Sequence, residues 1–155
     1  MMDMDDFKLA PVLRYRRSLE DALRRTFTEK QEQRIAEAEA YEALSARRKD
    51  HLREFAEKLE QGSDASENRL YMDYLVRMDD EMGVRKQAVC AAEEAAEIAR
   101  GRLIEAVRHR KSLERLREKY RAAREKRIQR KEMRQLDELA ASRFNRAQAK
   151  QGAGE

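Results

Sequence analysis

The sequence predicts an all-α protein: two long helices forming an antiparallel coiled-coil hairpin. Three observations predict it. Charged residues make up 43% of the 155 positions, with no Trp, one Pro and five Gly, which leaves little material for a compact core. The residues that dominate instead (Ala, Glu, Lys, Arg, Leu, Gln) are strong helix formers. Only one cluster of turn residues, "QGSDASEN" from Gln61 to Asn68, interrupts the chain. Finally, the apolar residues beyond that cluster keep a heptad period, which a disordered chain of the same composition has no reason to keep.

Taken in order, "MMDMDD" reads as a polar leader in which Asp5 or Asp6 can cap a helix. Pro11 falls in the first turn, where its missing N–H costs nothing. The first helix is expected over about 8–60 and the bend over about 61–67, with Ser63 or Ser66 as the cap of the next helix. The second helix is expected over about 68–144, followed by a frayed tail at 145–155, all within a single elongated domain. Leu75, Met78, Met82, Val89, Ala92, Ala96, Ala99, Leu103 and Ala106 are separated by 3, 4, 7, 3, 4, 3, 4 and 3 residues, a seam in which Arg85 is the one misfit. Leu113, Leu116, Tyr120 and Ala123 resume it after a shift at Arg110. The first helix is patterned more weakly, through Val12, Tyr15, Leu19, Ala22 and Leu23, then Ala36, Ala40, Ala43 and Leu44, then Leu52, Phe55 and Leu59. Folding about position 64 sets Ala36 and Ala40 opposite Ala92 and Val89, so that small residues meet and the backbones can approach.

Composition excludes several function classes. Cys90 is the single cysteine, so no intramolecular disulfide can form. No stretch approaches the roughly 20 apolar residues of a membrane span. The opening lacks the basic-then-apolar order of a signal peptide, so a cytoplasmic location is expected. His51 and His109 lie far apart along the hairpin, there is no Gly-rich phosphate loop, and Cys90 has no nearby histidine to activate it. Neither an enzyme nor a bound cofactor or metal is expected.

Charge is segregated. Arg100 to Arg134 carries 15 Lys or Arg against 5 Glu, a net of +10, and Lys8 to Arg25 adds 6 basic against 2 acidic residues beside it. Glu60 to Met82, around the bend, carries 7 acids against 2 arginines, a net of −5. A solvated coiled-coil surface explains a high charge but not its sorting by end, which suggests two partners of different chemistry. Nucleic acid is the obvious partner of a basic end. The basic segment, however, follows the heptads instead of leading into them, carries interleaved glutamates, and lacks aromatics on which bases could stack. A basic nucleic-acid-binding coiled coil and a general secretion chaperone or scaffold stay as alternatives.

The opening "FKLAPVLRYRRSLEDALRRTF" and the closing "KSLERLREKYRAAREKRIQRKEMRQLDELAASRF" together resemble the flagellar export protein FliJ family. Phe7, Leu9, Pro11, Val12, Leu13, Tyr15 and Arg16 are similar to that family's N-terminal signature, and "NRLYMDYLVRMDDEM" follows the bend as the family's aromatic-rich segment does. The resemblance implies a non-enzymatic stalk of the type III flagellar export apparatus, similar to the gamma stalk of rotary ATPases. It implies contact with an export ATPase hexamer and with an export gate membrane protein, at the inner face of the cell membrane, with export chaperones as further partners. On this reading Arg14, Arg16, Arg117, Arg121 and Arg124 face the ATPase ring, and Tyr74, Met78, Glu81 and Arg85 face the gate. Met78 fits the seam and so has a packing role as well, whereas Tyr74 lies one step off it. The chain alone is expected to be monomeric.

A helix of about 50 residues is roughly 75 Å long at 1.5 Å per residue. Circular dichroism of the isolated chain is therefore expected to show a largely helical protein, and small-angle scattering an elongated one. A globular scattering profile contradicts the hairpin.

Overall fold

The computed structural model describes residues 7–154; the cap expected at Asp5 or Asp6 lies outside the described residues. Two helices account for nearly all of it, α1 over Ala10–Gln61 and α2 over Ala65–Gly152. Pro11 is the second residue of α1, in the first turn as expected, and the helix is entered through Ala10 N–H donating to the Phe7 carbonyl at 2.9 Å.

The bend is only three residues long. Gly62 takes a φ of 83°, a left-handed conformation that glycine adopts without a Cβ clash, and its N–H reaches the Leu59 carbonyl at 3.3 Å to close the end of α1. The cap of α2 is Asp64, not Ser63 or Ser66. Its Oδ1 accepts from the Ala65 N–H at 2.7 Å and its Oδ2 from the Ser66 hydroxyl at 2.6 Å. These hydrogen bonds, the Ser66 hydroxyl foremost and then the Ala65 N–H, hold the Asp64 carboxyl below the usual aspartate range. Ser63 pairs with Asn68 across the turn. At its other end α2 runs to Gly152, through residues expected to fray. "NRAQAKQ" contains no helix breaker, and Ala, Arg, Gln and Lys continue a helix readily.

The chain divides into two compact units, one of Met1–Tyr15 with His109–Glu155 and one of Arg16–Arg108, where the sequence suggests a single domain. In the larger unit the helices run antiparallel. Glu37 meets Arg85 at 3.7 Å, Arg48 meets Asp79 at 2.5 Å, and the His51 ring lies 5.0 Å from Tyr71. Buried and half-buried positions of α2 fall at Tyr71, Leu75, Met78, Met82, Arg85, Val89, Ala92, Ala96, Ala99, Leu103 and Ala106, the heptad seam read from the sequence with Arg85 in its misfit slot.

The seam of α1 differs from the one expected. It runs Arg16, Glu20, Leu23, Phe27, Lys30, Arg34, Glu37, Tyr41, Leu44, Arg48, His51 and Phe55, alternating steps of four and three. Seven of these twelve are charged or histidine, which hides the period from any search for apolar residues. Ala22, Ala36, Ala43, Leu52 and Leu59 are exposed, so the expected match of small residues fails at Ala36, and alanines of α2 share a groove with longer side chains of α1. Leu23, Thr26 and Lys30, for example, line one groove together with Ala95, Ala99 and Arg102. Glu20 is buried, 4% exposed, and Arg24 one turn on donates to its Oε1 at 2.8 Å.

In the smaller unit Phe7, Ala10 and Leu13 are buried, while Val12 and Tyr15, expected at the seam, are 41% and 63% exposed. On α2 the half-buried positions are Arg110, Leu113, Glu114, Arg117 and Arg124, whereas Leu116, Tyr120 and Ala123 are exposed. The expected shift at Arg110 is absent. Four residues separate Ala106 from Arg110 and three separate Arg110 from Leu113, so the period continues with arginines in it.

The Asp64 cap gives a prediction with a defined sign. A carboxyl whose folded pKa is depressed contributes stability above its unfolded pKa and loses it as pH falls through the folded value. The melting temperature of the natural chain is expected to fall on acidification below the usual aspartate range by more than that of Asp64→Asn, which keeps a capping oxygen but cannot titrate. Equal acid limbs contradict the assignment.

Candidate functional site

Around the bend, in the larger unit, four rings gather. Phe55 stacks on Tyr71 with centroids 5.4 Å apart and 18° between planes, and His51 sits against both Tyr71 and Tyr74, the latter edge-on at 4.4 Å. His51 and Phe55 are one turn apart on α1, Tyr71 and Tyr74 three residues apart on α2, so each pair shares a helix face. The cluster clamps the two helices just beyond their weakest point, the turn. Sequence reasoning did not find it, although the four-residue spacing of His51 and Phe55 was there to be read.

Tyr74 is 39% exposed. Its ring is thus partly packed against His51 and partly open, with the hydroxyl at a long 3.5 Å from Arg47 Nη2. Met78 is 3% exposed and belongs to the core of the seam, so it supports the surface from behind and does not form it. Arg85 is half-buried and directed to Glu37, and Glu81 is exposed. The four residues expected to act together thus separate into a core methionine, a cross-helix arginine and an exposed pair, Tyr74 with Glu81.

The exposed pair has companions that the sequence did not single out. Leu70 and Val84 are 70% and 67% exposed, and with Tyr74, Arg77 and Glu81 they fall at i, i+4, i+7, i+11 and i+14, one flank of α2 beside the seam. A stripe with an apolar residue at each end, one aromatic and one charge of each sign has the composition of a protein-contact face. Leu70 could be recognised as outward-facing only once Tyr71 and Leu75 were fixed as seam residues.

The smaller unit carries the basic surface. Arg14 and Arg121 are exposed, whereas Arg117 and Arg124 are half-buried at seam positions and make contacts of their own. Arg16, across the boundary in the larger unit, is half-buried. Phe7 packs on Tyr120 at 5.9 Å, and the two line an apolar groove with Leu9 and Leu116 between Lys8 and Lys119. The remaining arginines and lysines of 121–134 stand on a helix face in water. Such a surface presents positive charge together with the aliphatic stems of its long side chains. No His, Cys, Asp and Glu group capable of holding a metal ion is found among the described residues, and none of their helices is long and apolar enough to cross a membrane.

These features define a coiled-coil hairpin with an apolar and charged stripe in the larger unit and a basic surface in the smaller one. Residues 4–149 match the family model of the flagellar FliJ protein. The chain belongs to the FliJ family, as its opening and closing segments suggest. Its fold is similar to that of a putative YscO homolog, CT670, from Chlamydia trachomatis, with a TM-score of 0.63, 19% identity, and coverage of 88% of this chain and 93% of that one. None of the curated proteins matches it.

Burial separates the roles of Tyr74 and Met78 by experiment. Met78→Ala empties a core position and is expected to cost about 2–5 kcal/mol. Tyr74→Ala removes one ring edge contact and is expected to cost about 1 kcal/mol, and Leu70→Asp is expected to leave stability almost unchanged. Chemical denaturation followed by circular dichroism ranks the three. A Tyr74→Ala loss equal to that of Met78→Ala makes Tyr74 a core residue.

Proposed function

We propose that this chain is a non-enzymatic stalk of the flagellar type III protein export apparatus, coupling the export ATPase hexamer to the export gate membrane protein. The observation that carries the reading is the family match over residues 4–149. Sorting of charge gives it a direction: +10 over Arg100–Arg134 and −5 over Glu60–Met82. The basic surface meets the ring, and the face centred on Tyr74 meets the gate. The protein then works at the inner face of the cell membrane through its partners.

The physical case rests on what a paired helix surface can do. Its outer side chains are fixed by the seam, so a contact made at one level is held at a defined azimuth around the pair. A central element in a ring must present such a fixed, asymmetric surface to several like subunits. Arginine suits that role, since its guanidinium keeps its charge and engages carboxylates through two hydrogen bonds at once.

Arg14→Glu together with Arg121→Glu is the cleanest test, because both side chains are exposed and neither holds the helix pair. Stimulation of ATP hydrolysis by the partner ATPase is expected to fall about tenfold or more, the scale of two lost interfacial charge contacts, with helicity unchanged. Reversal of Arg117 and Arg124 is expected to lower thermal stability as well, since these two have contacts within the chain. Unchanged stimulation by the exposed double variant removes the basic surface from the ring contact.

A further inference from the structure

The last five turns of α2 carry a second apolar stripe that the docking surfaces above do not use. Met133, Leu136 and Phe144 are 60%, 61% and 62% exposed, and Ala140 and Ala147 are exposed with them. At 100° per residue all five fall within about 40° of one line along the helix. Four large apolar residues, counting Leu139 at 58% on the flank, stand in water on an otherwise charged helix, more than solubility favours.

The stripe is a palindrome. Its steps are three, four, four and three about Ala140. In an antiparallel pair of such helices related by a two-fold axis at Ala140, Met133 faces Ala147 and Leu136 faces Phe144, each twice, and the small Ala140 meets its own mate at the axis. Every large side chain then has a smaller or complementary one opposite. The two Leu139 side chains come together on one flank.

Charge supports the same register. In antiparallel pairs the flanking residues that meet lie on the same side of the seam in both chains. On the flank of Leu139 this sets Glu132 of one copy beside Lys150 and Arg146 of the other, twice by symmetry, while Asp137 on the other flank lies near the uncharged Ala141 and Asn145. The dense basic stretch, Lys126 to Lys131, lies opposite the mainly uncharged Ala149 to Gly154. A parallel pair brings the two basic stretches of Arg121–Lys131 side by side instead, with repulsion along their length.

We infer that the occupant of this face is a second copy of this chain, paired antiparallel about Ala140. The interface is isologous, as a closed two-fold contact must be. It spans about two heptads and buries less than the roughly 1,200 Å² at which stable complexes begin, so the dimer is weak and depends on concentration and salt. It replaces the sequence expectation of a monomer by a monomer–dimer equilibrium. It involves none of Arg14, Arg121 and Tyr74; although it covers the Lys126–Lys131 part of the basic surface, its test reads the mass of the chain alone and is decided without either proposed partner.

Sedimentation equilibrium of the full chain from about 10 μM to about 1 mM, a range bracketing weak association, is expected to show the mass rising from one chain toward two. Leu136→Asp with Phe144→Asp is expected to hold it at one chain with the circular dichroism unchanged. Glu132→Lys is expected to weaken the dimer about three- to thirtyfold, the scale of two lost ion pairs, and Lys150→Glu added to it to restore the affinity. In a Cys90→Ser background, oxidation of mixed Met133→Cys and Ala147→Cys chains is expected to give the mixed disulfide, with little of either symmetric one. A natural chain that stays monomeric across the range overturns the proposal. So does a double charge variant no tighter than Glu132→Lys, or a Met133→Cys chain that crosslinks to itself as readily as to Ala147→Cys.

Discussion

The interaction on which this fold depends is the packing of one uneven pair of seams. On α2 the seam of the larger unit is apolar and small, with alanines at 92, 96, 99 and 106 and one charge, Arg85. On α1 the facing seam is mostly polar, with long side chains at half-buried positions such as Lys30, which lines a groove with Ala95 and Ala99. Burial is therefore shallow: no side chain among the described residues is both large and fully enclosed. Hydrophobic packing of this kind holds two helices together but discriminates poorly between registers. Register has to come from elsewhere.

It comes from the polar positions themselves. A slip of one heptad parts Arg48 from Asp79 and Glu37 from Arg85. Exposed ion pairs add little stability, yet a charge moved against an alanine or a like charge costs more than the pair gains. Polar residues at core positions of coiled coils act in this way, giving up stability for a single alignment. The ring cluster of His51, Phe55, Tyr71 and Tyr74 fixes the same alignment beside the turn, where the Gly62 and Asp64 caps set its starting point.

This division explains what could be read from the sequence. The seam of α2, the place of the bend and the tolerance of Pro11 were legible because apolar periodicity, turn residues and proline chemistry are local signals. The seam of α1 was legible only at Leu23, Leu44 and Phe55, because a search for apolar residues passes over Arg16, Glu20, Lys30, Arg34 and Glu37, and finds Val12 and Tyr15 instead. The same bias produced the shift expected at Arg110, where the period in fact continues through arginine. At the surface, Tyr74 was legible as standing off the seam, but the burial of Met78 and the exposure of Leu70 follow only from the phase of the helix against its partner. Charge segregation, a property of composition, was fully visible.

A seam that is itself rich in charge has a further consequence for recognition. In most coiled coils the charged residues are outside and the apolar ones within, so an exposed leucine or phenylalanine is unusual. Here much of the chain's apolar surface stands outside: Leu70, Met72, Val76 and Val84 near the acidic segment, Met133, Leu136, Leu139 and Phe144 along the basic end of α2. These side chains add nothing to the pairing of α1 with α2, and exposing them costs solubility. Leu70 and Val84 share one azimuth, Met72 and Val76 stand on the opposite side of α2, and Met133, Leu136 and Phe144 share a line with Leu139 on its flank, with charges of both signs between them. In protein interfaces generally, apolar contact supplies affinity and the surrounding charge selects the partner. The stability given up inside the hairpin and the apolar surface displayed outside it are thus two aspects of one sequence strategy, in which the fold is held to the minimum that keeps its outer stripes in phase.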